Sequence, residues 1–441
     1  MDFFGREKEI AALRKIREMS HESAKFTVLT GRRRVGKTEL VKRALGDGKD
    51  DFVYLLVTRQ AEKTLCQTLQ GEIEESTGIP FIGQATRFIE LFEAVAKIAM
   101  QKPITLVIDE FQEFDRINPA IFDEIRGKWD DYHGKSKLNL VVCGSVYRLM
   151  HKIFFSYAEP LYGRNTGHIR LKPFDAKTMK EIFSRYSPRF TNGDLLALWT
   201  VTGGVARYVQ LLMDGKATTQ RKMVSAFLDE ASPFREEGRA MLAEEFGPDH
   251  GLYFSLLSEI AAGKTTFREL ETSVGKDVGT CLARLENEYG LIKRNVPVFD
   301  RETSRNSFYS IDDCFLRFWF RFVFKYRGWL ELGRYKALEE VIARDFVTFS
   351  GHSLEQYFRW KFACESTYTR MGAWWDRKGE NEIDLVCEDE PVGRLDFFEV
   401  KRDPKRFDGD LLRRKAEAFL TKNPSLRQRS LSFAGLSLRD M

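Results

Sequence analysis

Residues Thr27–Leu45 read "TVLTGRRRVGKTELVKRAL", and the order of parts in this stretch decides the fold of the first half of the chain. An apolar run comes first, then Gly31-x-x-x-x-Gly36-Lys37-Thr38, then a segment with helical spacing. Phosphate chemistry needs that order. Loop amides and a helix N-terminus point at phosphate oxygens, and glycine lets the backbone come close. In such a loop Lys37 neutralises the β and γ phosphates, and the hydroxyl of Thr38 ligates magnesium. The expected cradle is Gly31, Arg32, Arg33, Arg34, Val35, Gly36, Lys37, Thr38 and Glu39, with ATP and Mg2+ as its ligands. The three arginines either serve the loop itself or meet a polyanion, and the residues leave both readings open.

Further along, "PITLVIDEFQ" ends an apolar run in Asp109-Glu110. An acid at the carboxyl end of a strand beside a phosphate loop can hold magnesium through water, and the next carboxylate can orient an attacking water. From residue 26 to about 175 the short runs "FTVLT", "DFVYLLV", "ITLVIDE", "LNLVVCG" and "HIRLKPF" alternate with amphipathic segments. That alternation predicts an α/β fold, a parallel sheet between helices. Between roughly 175 and 245 helical spacing takes over, as in "AKTMKEIFSRY", and predicts a helical lid.

A chain of 441 residues is too long for one core of ordinary size, so several domains are expected. Its 43% apolar and 31% charged residues fit a soluble globular protein, and no stretch approaches the ~20 unbroken apolar residues that span a bilayer. No membrane partner is expected. The opening "MDFFGREKEI" does not resemble a secretory signal, which makes the cytoplasm the expected location. Cys66, Cys143, Cys281, Cys314, Cys364 and Cys387 lie far apart with no CxxC pair, so neither zinc nor disulfides are indicated. The net charge of +5 is small for this length, and nucleic-acid binding has to be argued from local patterns.

Residues 250–311 give three short helices closed by glycines ("LYFSLLSEIAAG", "TFRELETSVG", "DVGTCLARLENEYG"), then two strands, "LIKRNVPVF" and "NSFYSI". That order predicts a winged helix-turn-helix. Its third helix carries Lys276 and Arg284 but also Asp277, Glu286 and Glu288, whereas the wing concentrates Lys293, Arg294, Arg301 and Arg305. It reads either as a DNA contact or as a rigid spacer. Next, "FLRFWFRFVFKYRGWL" alternates rings with Arg317, Arg321, Lys325 and Arg327. It suits a single-strand stacking platform or a buried helix with arginines on its exposed stripe, and the four-residue spacing of Arg317 and Arg321 favours the helix.

From about 350 the elements run helix, three strands, helix, strand. "NEIDLVCE" and "RLDFFEVKR" are joined by the turn "DEPVG", so folding them as a hairpin brings Asp384 close to Glu399. Period-two alternation puts Glu399 and Lys401 on one face. Two carboxylates that close repel unless they share a proton or a divalent cation, Mg2+ or Mn2+, sits between them. Lys401 beside them can stabilise a metal-activated hydroxide and developing phosphate charge.

In sequence order, "FFGREKEI", "GRRRVGKTEL", "LVIDEFQ", "VVCGS", "PLYGR" and "TGGVARYV" resemble the archaeal-type, AAA-like ATPases of the STAND group over residues 1–215. That resemblance implies that Ser145 reads the γ-phosphate and that Arg164 can reach the nucleotide. "GGVA" at Gly203 and Gly204 departs from the Gly-Gly-x-Pro common in the family. Residues 350–435, with "WW", "NEIDLV" and "FEVK", resemble the PD-(D/E)xK nuclease core, the C-terminal domain often fused to such ATPases. The resemblance places Glu355 where many such nucleases carry another acid, beside the metal-binding Asp384 and Glu399.

The expected organisation is a P-loop ATPase core at 1–174, a helical lid at 175–246, a winged helix at 247–312, linker helices at 313–349 and a restriction-endonuclease-like α/β domain at 350–441. Function is read as an Mg-dependent ATPase coupled to a nuclease-like DNA-processing or defence module. The alternative is an ATP-dependent signalling or transcriptional switch whose C-terminal domain binds without cleaving. The expected partners are ATP, nucleic acid (DNA before RNA) and, as a candidate, a second copy of the chain.

Overall fold

The computed structural model describes residues 1–246 and 250–441, so the boundary expected at 246/247 falls against residues outside the described ones. The chain divides into two compact units, one of Gly5–Lys172 and one of Met1–Phe4 with Pro173–Met441. The expected core boundary at 174 thus lies two residues past the observed division, and the first four residues join the second unit.

In the first unit, five short runs rich in Val, Ile and Leu form strands β1 (Lys25–Gly31), β2 (Asp51–Leu56), β3 (Ile104–Asp109), β4 (Leu138–Gly144) and β5 (Gly167–Leu171). All pair in parallel in the order β2-β3-β4-β1-β5. A parallel sheet needs helical crossovers that cover both faces, which is why β3 and β4 are buried along their whole length. On one face Phe26, Val28, Leu106, Ile108, Leu140 and Val142 are fully buried. The Phe26 ring packs 5.2 Å from Trp129 and 5.7 Å from Phe154. Each such side chain contributes about 1.5–3 kcal/mol on burial. Because the strands share one direction, the ends of β1, β3 and β4 meet at the same sheet edge.

The second unit begins with helices, among them Ala176–Tyr186, Asn192–Thr202 and Ala206–Asp214, whose apolar residues enter one continuous core. Helices His250–Ala261, Phe267–Val274 and Gly279–Asn287 follow, then an antiparallel hairpin of β6 (Ile292–Asn295) and β7 (Phe308–Ile311). Thr266 and Glu269 form a reciprocal capping box that starts the middle helix. The loop between β6 and β7 packs on the last sheet of the chain. Val298 N–H donates to Ala373 O at 2.8 Å, and Trp375 Nε1 donates to Asn306 at 3.0 Å. Arg294 is tied into that loop by bonds to Glu302 O and Ser307 Oγ, whereas Lys293, Arg301 and Arg305 are exposed.

The aromatic run is core rather than platform. Phe315, Phe318, Trp319, Phe320 and Phe322 are all buried, in a helix at Cys314–Phe318 that passes into a π-helical turn at Trp319–Phe324. A Cβ at position 238 would lie 2.3 Å from the Trp319 ring, so only glycine admits the indole there. The buried-helix reading therefore describes the rings, but Arg317 is not on an exposed stripe. It is 9% exposed and stacks on Phe349 at 5.1 Å.

One helix, Tyr335–Glu365, runs unbroken through the boundary expected at 349/350. Gly351 is tolerated because the helix is held by packing, with Leu338, Ile342, Phe346, Leu354 and Phe358 all buried. It leads into β8 (Arg370–Trp375), β9 (Glu382–Asp389), β10 (Arg394–Val400) and β11 (Ser430–Leu436), in the order β11-β10-β9-β8. β8, β9 and β10 are antiparallel neighbours, and β11 pairs parallel with β10 after helix Gly409–Lys422. Trp374, Ile383, Val386, Phe397 and Phe419 form the core beneath this sheet.

Candidate functional site

At the end of β1 the chain needs glycine for steric reasons. A Cβ on Gly31 would sit 2.7 Å from Leu171 O of the neighbouring strand. The loop then turns through two left-handed residues, Arg34 at φ 64° and Gly36 at φ 97°, and Val35 is driven fully inside. Helix Lys37–Leu45 starts directly after Gly36, a residue without a side chain to cap the first amides. Uncapped amides at a helix start are the donors an anion needs. The Lys37 ammonium folds over the loop and donates to Gly31 O at 2.9 Å and Arg32 O at 3.3 Å. Arg32 and Arg33 belong to the same turn, and Glu39 is exposed on the first turn of the helix.

The acidic strand tip meets this loop. Thr38 Oγ1 donates to Asp109 Oδ2 at 2.7 Å, and the same oxygen accepts from Tyr54 OH at 2.5 Å. Burial, then the Asp109 carboxylate, push the Tyr54 hydroxyl's pKa well up, so it stays a donor. Glu110 follows in a left-handed conformation, φ 54°, which turns its side chain toward β4. There Ser145 Oγ donates to Glu110 Oε2 at 2.8 Å, and Gln112 Nε2 donates to the same oxygen. Lys37, Asp109 and Ser145 are all buried. Arg164 is placed otherwise: both arms of its guanidinium bind Asp130, at 2.9 and 3.1 Å, on the surface. Tyr54 and Gln112 escaped the sequence reading. Only strand register brings Tyr54 alongside β3, and no motif marks it.

Glu399, Asp384 and Lys401 also come together. Lys401 Nζ lies 3.0 Å from Glu399 Oε1 and 3.7 Å from Asp384 Oδ2, which itself accepts Val400 N–H at 2.7 Å. A second ammonium, from Lys415 on helix Gly409–Lys422, donates to Glu399 Oε1 at 3.1 Å. Lys415 was not anticipated, because only the crossover between β10 and β11 carries it to the carboxylate. The other oxygen, Glu399 Oε2, is buried with no hydrogen-bond partner. Burial, then the charge of Glu355, raise the Asp384 carboxyl to about 6.

Glu355 sits differently from its two expected co-ligands. It lies on helix Tyr335–Glu365 between His352 at 3.5 Å and Arg359 at 3.8 Å. Burial works against its charge, but His352 and Arg359 outweigh it and hold the carboxyl below the usual range. Among the described residues no three His, Cys, Asp or Glu side chains gather closely enough to hold a metal ion. The expected ligand set of Asp384, Glu399 and Glu355 is therefore not assembled in this arrangement. Asp384 and the orphaned oxygen of Glu399 fit a hard cation; Glu355 is turned to its own helix.

A glycine-gated loop before a helix, with an acidic tip two strand positions away across a parallel sheet, defines a P-loop nucleotide-binding domain. Residues 3–212 match a family described as an ATPase domain predominantly from Archaea, in keeping with the P-loop fold of the N-terminal part of the chain. Residues 319–410 match a family of archaeal and bacterial proteins of unknown function, a description that assigns no activity. An uncharacterized protein of Methanocaldococcus jannaschii, MJECL04, is 28% identical over 431 residues, covering 93% of this chain and 91% of that one. The Walker-type ATPase paby2304 of Pyrococcus abyssi shares the fold at 18% identity and a TM-score of 0.54, over 73% of this chain and 96% of that one. The Aeropyrum pernix ORC2 protein, solved as ADPNP–ADP complexes, aligns at 13% identity and a TM-score of 0.46, over 76% of this chain and 96% of that one. Among the described residues no helix is long and apolar enough to cross a membrane.

Proposed function

We propose that this protein binds ATP with magnesium and hydrolyses it, and that nucleotide state governs a nuclease-like C-terminal module acting on nucleic acid, DNA before RNA. The observation that carries the first part is the 2.7 Å bond from Thr38 to Asp109, which joins the helix after the phosphate loop to the tip of β3. These two groups would hold the magnesium ion, and the ion, when bound, screens the negative charge between phosphate oxygens. Lys37 neutralises phosphate charge from the loop side. Glu110 accepts a proton-bearing partner already, Ser145, and is the carboxylate placed to orient a water. With Ser145 and Gln112 both donating to one oxygen, the other is left for that task.

The second part rests on Asp384, Glu399 and Lys401 converging from β9, β10 and the residue beyond it. The helix-strand-strand-strand-helix-strand order around them supports a nuclease-like core. In this reading Asp384 and Glu399 hold Mg2+ or Mn2+, and Lys401 stabilises charge at a scissile phosphate. The test is metal-dependent cleavage of single- and double-stranded DNA and RNA by wild type and Glu399→Ala with ATP, with ADP and without nucleotide. Cleavage lost in the variant is expected; equal inertness of both proteins in every condition overturns the catalytic reading.

One observation favours a second reading, an ATP-dependent switch whose C-terminal domain only binds. Glu399 is neutralised by two ammonium groups, at 3.0 and 3.1 Å, and so does not require a metal ion. It predicts DNA affinity or oligomer size that changes between ATP and ADP without any strand scission.

A further inference from the structure

Next to the carboxylate centre, one buried and one half-buried arginine lie against one helix without the anion that their charge calls for. Arg317 leaves 9% of its surface exposed, yet its Nε and Nη1 have no hydrogen-bond partner. Its remaining nitrogen, Nη2, donates to Ser353 Oγ, and its face rests on Phe349. One turn earlier on the same helix, Ser350 Oγ accepts from Arg402 Nη1 at 2.6 Å. Ser350 and Ser353 are one helical turn apart, so the two arginines bond to the same stretch of one helix.

Hydroxyls do not neutralise guanidinium groups. Glu355, Asp312 and Asp313 influence Arg317 electrostatically, but burial prevails and lowers its pKa. Burial likewise lowers that of half-buried Arg402, with no acid offsetting it. A buried guanidinium with open N–H groups costs several kcal/mol until an anion meets it. The planar fork of arginine suits a tetrahedral oxyanion, which can accept from both groups at once. The place is also informative: Arg402 follows Lys401 directly, and Glu355, on the serine helix, bears on Asp384 as well as on Lys401.

We propose that Arg317 and Arg402, held by Ser353 and Ser350, form a phosphate-binding subsite beside the Asp384–Glu399–Lys401 centre. The site takes one phosphate group. Assigning that group to a nucleic-acid strand rests on the proposed engagement of nucleic acid, whereas the subsite itself does not. Arg317 forms its floor, fixed by stacking, and the more exposed Arg402 forms its rim. A strand phosphate seated there would lie one residue from the lysine that faces the two carboxylates.

The test titrates inorganic phosphate into the full-length Lys37→Ala protein, so that the phosphate loop contributes little, and follows heat by calorimetry. Saturable binding is expected, displaced by sulfate but not by chloride. Arg402→Gln should weaken it by roughly tenfold or more, as loss of a charge-assisted pair does. Arg317→Gln should do the same; since that position is buried, Ser350→Ala serves as a milder second probe with an unchanged melting temperature. Absence of saturable binding, or equal affinity in Arg402→Gln, overturns the subsite. Glu399→Gln keeps phosphate binding even if it ends cleavage, so failure of the nuclease reading and failure of this one are separable. Displacement of phosphate by a 5′-phosphorylated but not a 5′-hydroxyl oligonucleotide identifies a strand end as the source. Displacement by mononucleotides alone identifies a free nucleotide, and either result upholds the site.

Discussion

The phosphate loop and the carboxylate centre are built on opposite principles. The first is a contiguous turn whose geometry is mostly backbone: Gly31 pressed against Leu171 O, Gly36 in a left-handed conformation, and a helix that begins at Lys37. The second is assembled from side chains of β9, β10 and the following helix, and its key acid is already matched by Lys401 and Lys415. The difference teaches where each is fragile. A backbone cradle tolerates loss of a side chain and fails in ligand affinity, whereas a buried charge cluster fails in stability.

The largest effect should come from the chemistry of the first centre. Glu110→Gln is expected to lower ATP turnover by about 10²–10⁴-fold while ATP affinity holds, as a lost water-orienting carboxylate does. Steady-state turnover beside equilibrium binding checks this, and unchanged turnover removes Glu110 from that role. Next, Glu399→Ala leaves Lys415, whose side chain is 14% exposed, without its carboxylate, at a cost of about 3–5 kcal/mol. Urea unfolding measures it. The double variant with Lys415→Met should recover much of the loss, and a strictly additive pair would show that the two centres do not differ as argued.

Third in size, Lys37→Ala should weaken ATP binding by about a hundredfold, the worth of a charge-assisted contact to phosphate, with little change in melting temperature. Calorimetric titration decides it; undiminished affinity contradicts the cradle. Smallest of all, Arg164→Ala should change stability by about 1 kcal/mol or less, because its bidentate pair with Asp130 is on the surface. A large drop in turnover from this variant would instead tie Arg164 to the nucleotide.

Much of the first unit was legible because its signals are local. Strands buried on both faces read as unbroken Val, Ile and Leu runs, and the loop's glycines and lysine stand at fixed offsets. Elsewhere reading along the chain had less to work with. Arg317 looked like an exposed-stripe residue because Arg321 follows at helical spacing, but Phe349 and Ser353 cover it while Lys325 and Arg327 stay exposed. Of the four basic residues grouped along β6 and the loop after it, only contacts from elsewhere in that loop show Arg294 to be bonded there, while Lys293, Arg301 and Arg305 stay exposed. The boundary placed at 349/350 fell inside a helix that nothing in its composition interrupts strongly enough to stop.

The sequence by itself determined the parallel α/β sheet, the phosphate loop with Asp109 and Glu110 across from it, and the pairing of Glu399 with Lys401 on one face. These follow from short-range rules, period and offset, that each act within a few residues. Only the tertiary structure decided that Tyr54 and Thr38 share one oxygen of Asp109, that Lys415 reaches Glu399, and that Arg317 and Arg402 bond to Ser353 and Ser350 of one helix. Those contacts join residues far apart in the chain, and their energies depend on burial and exact distance, which exist only after the backbone has folded.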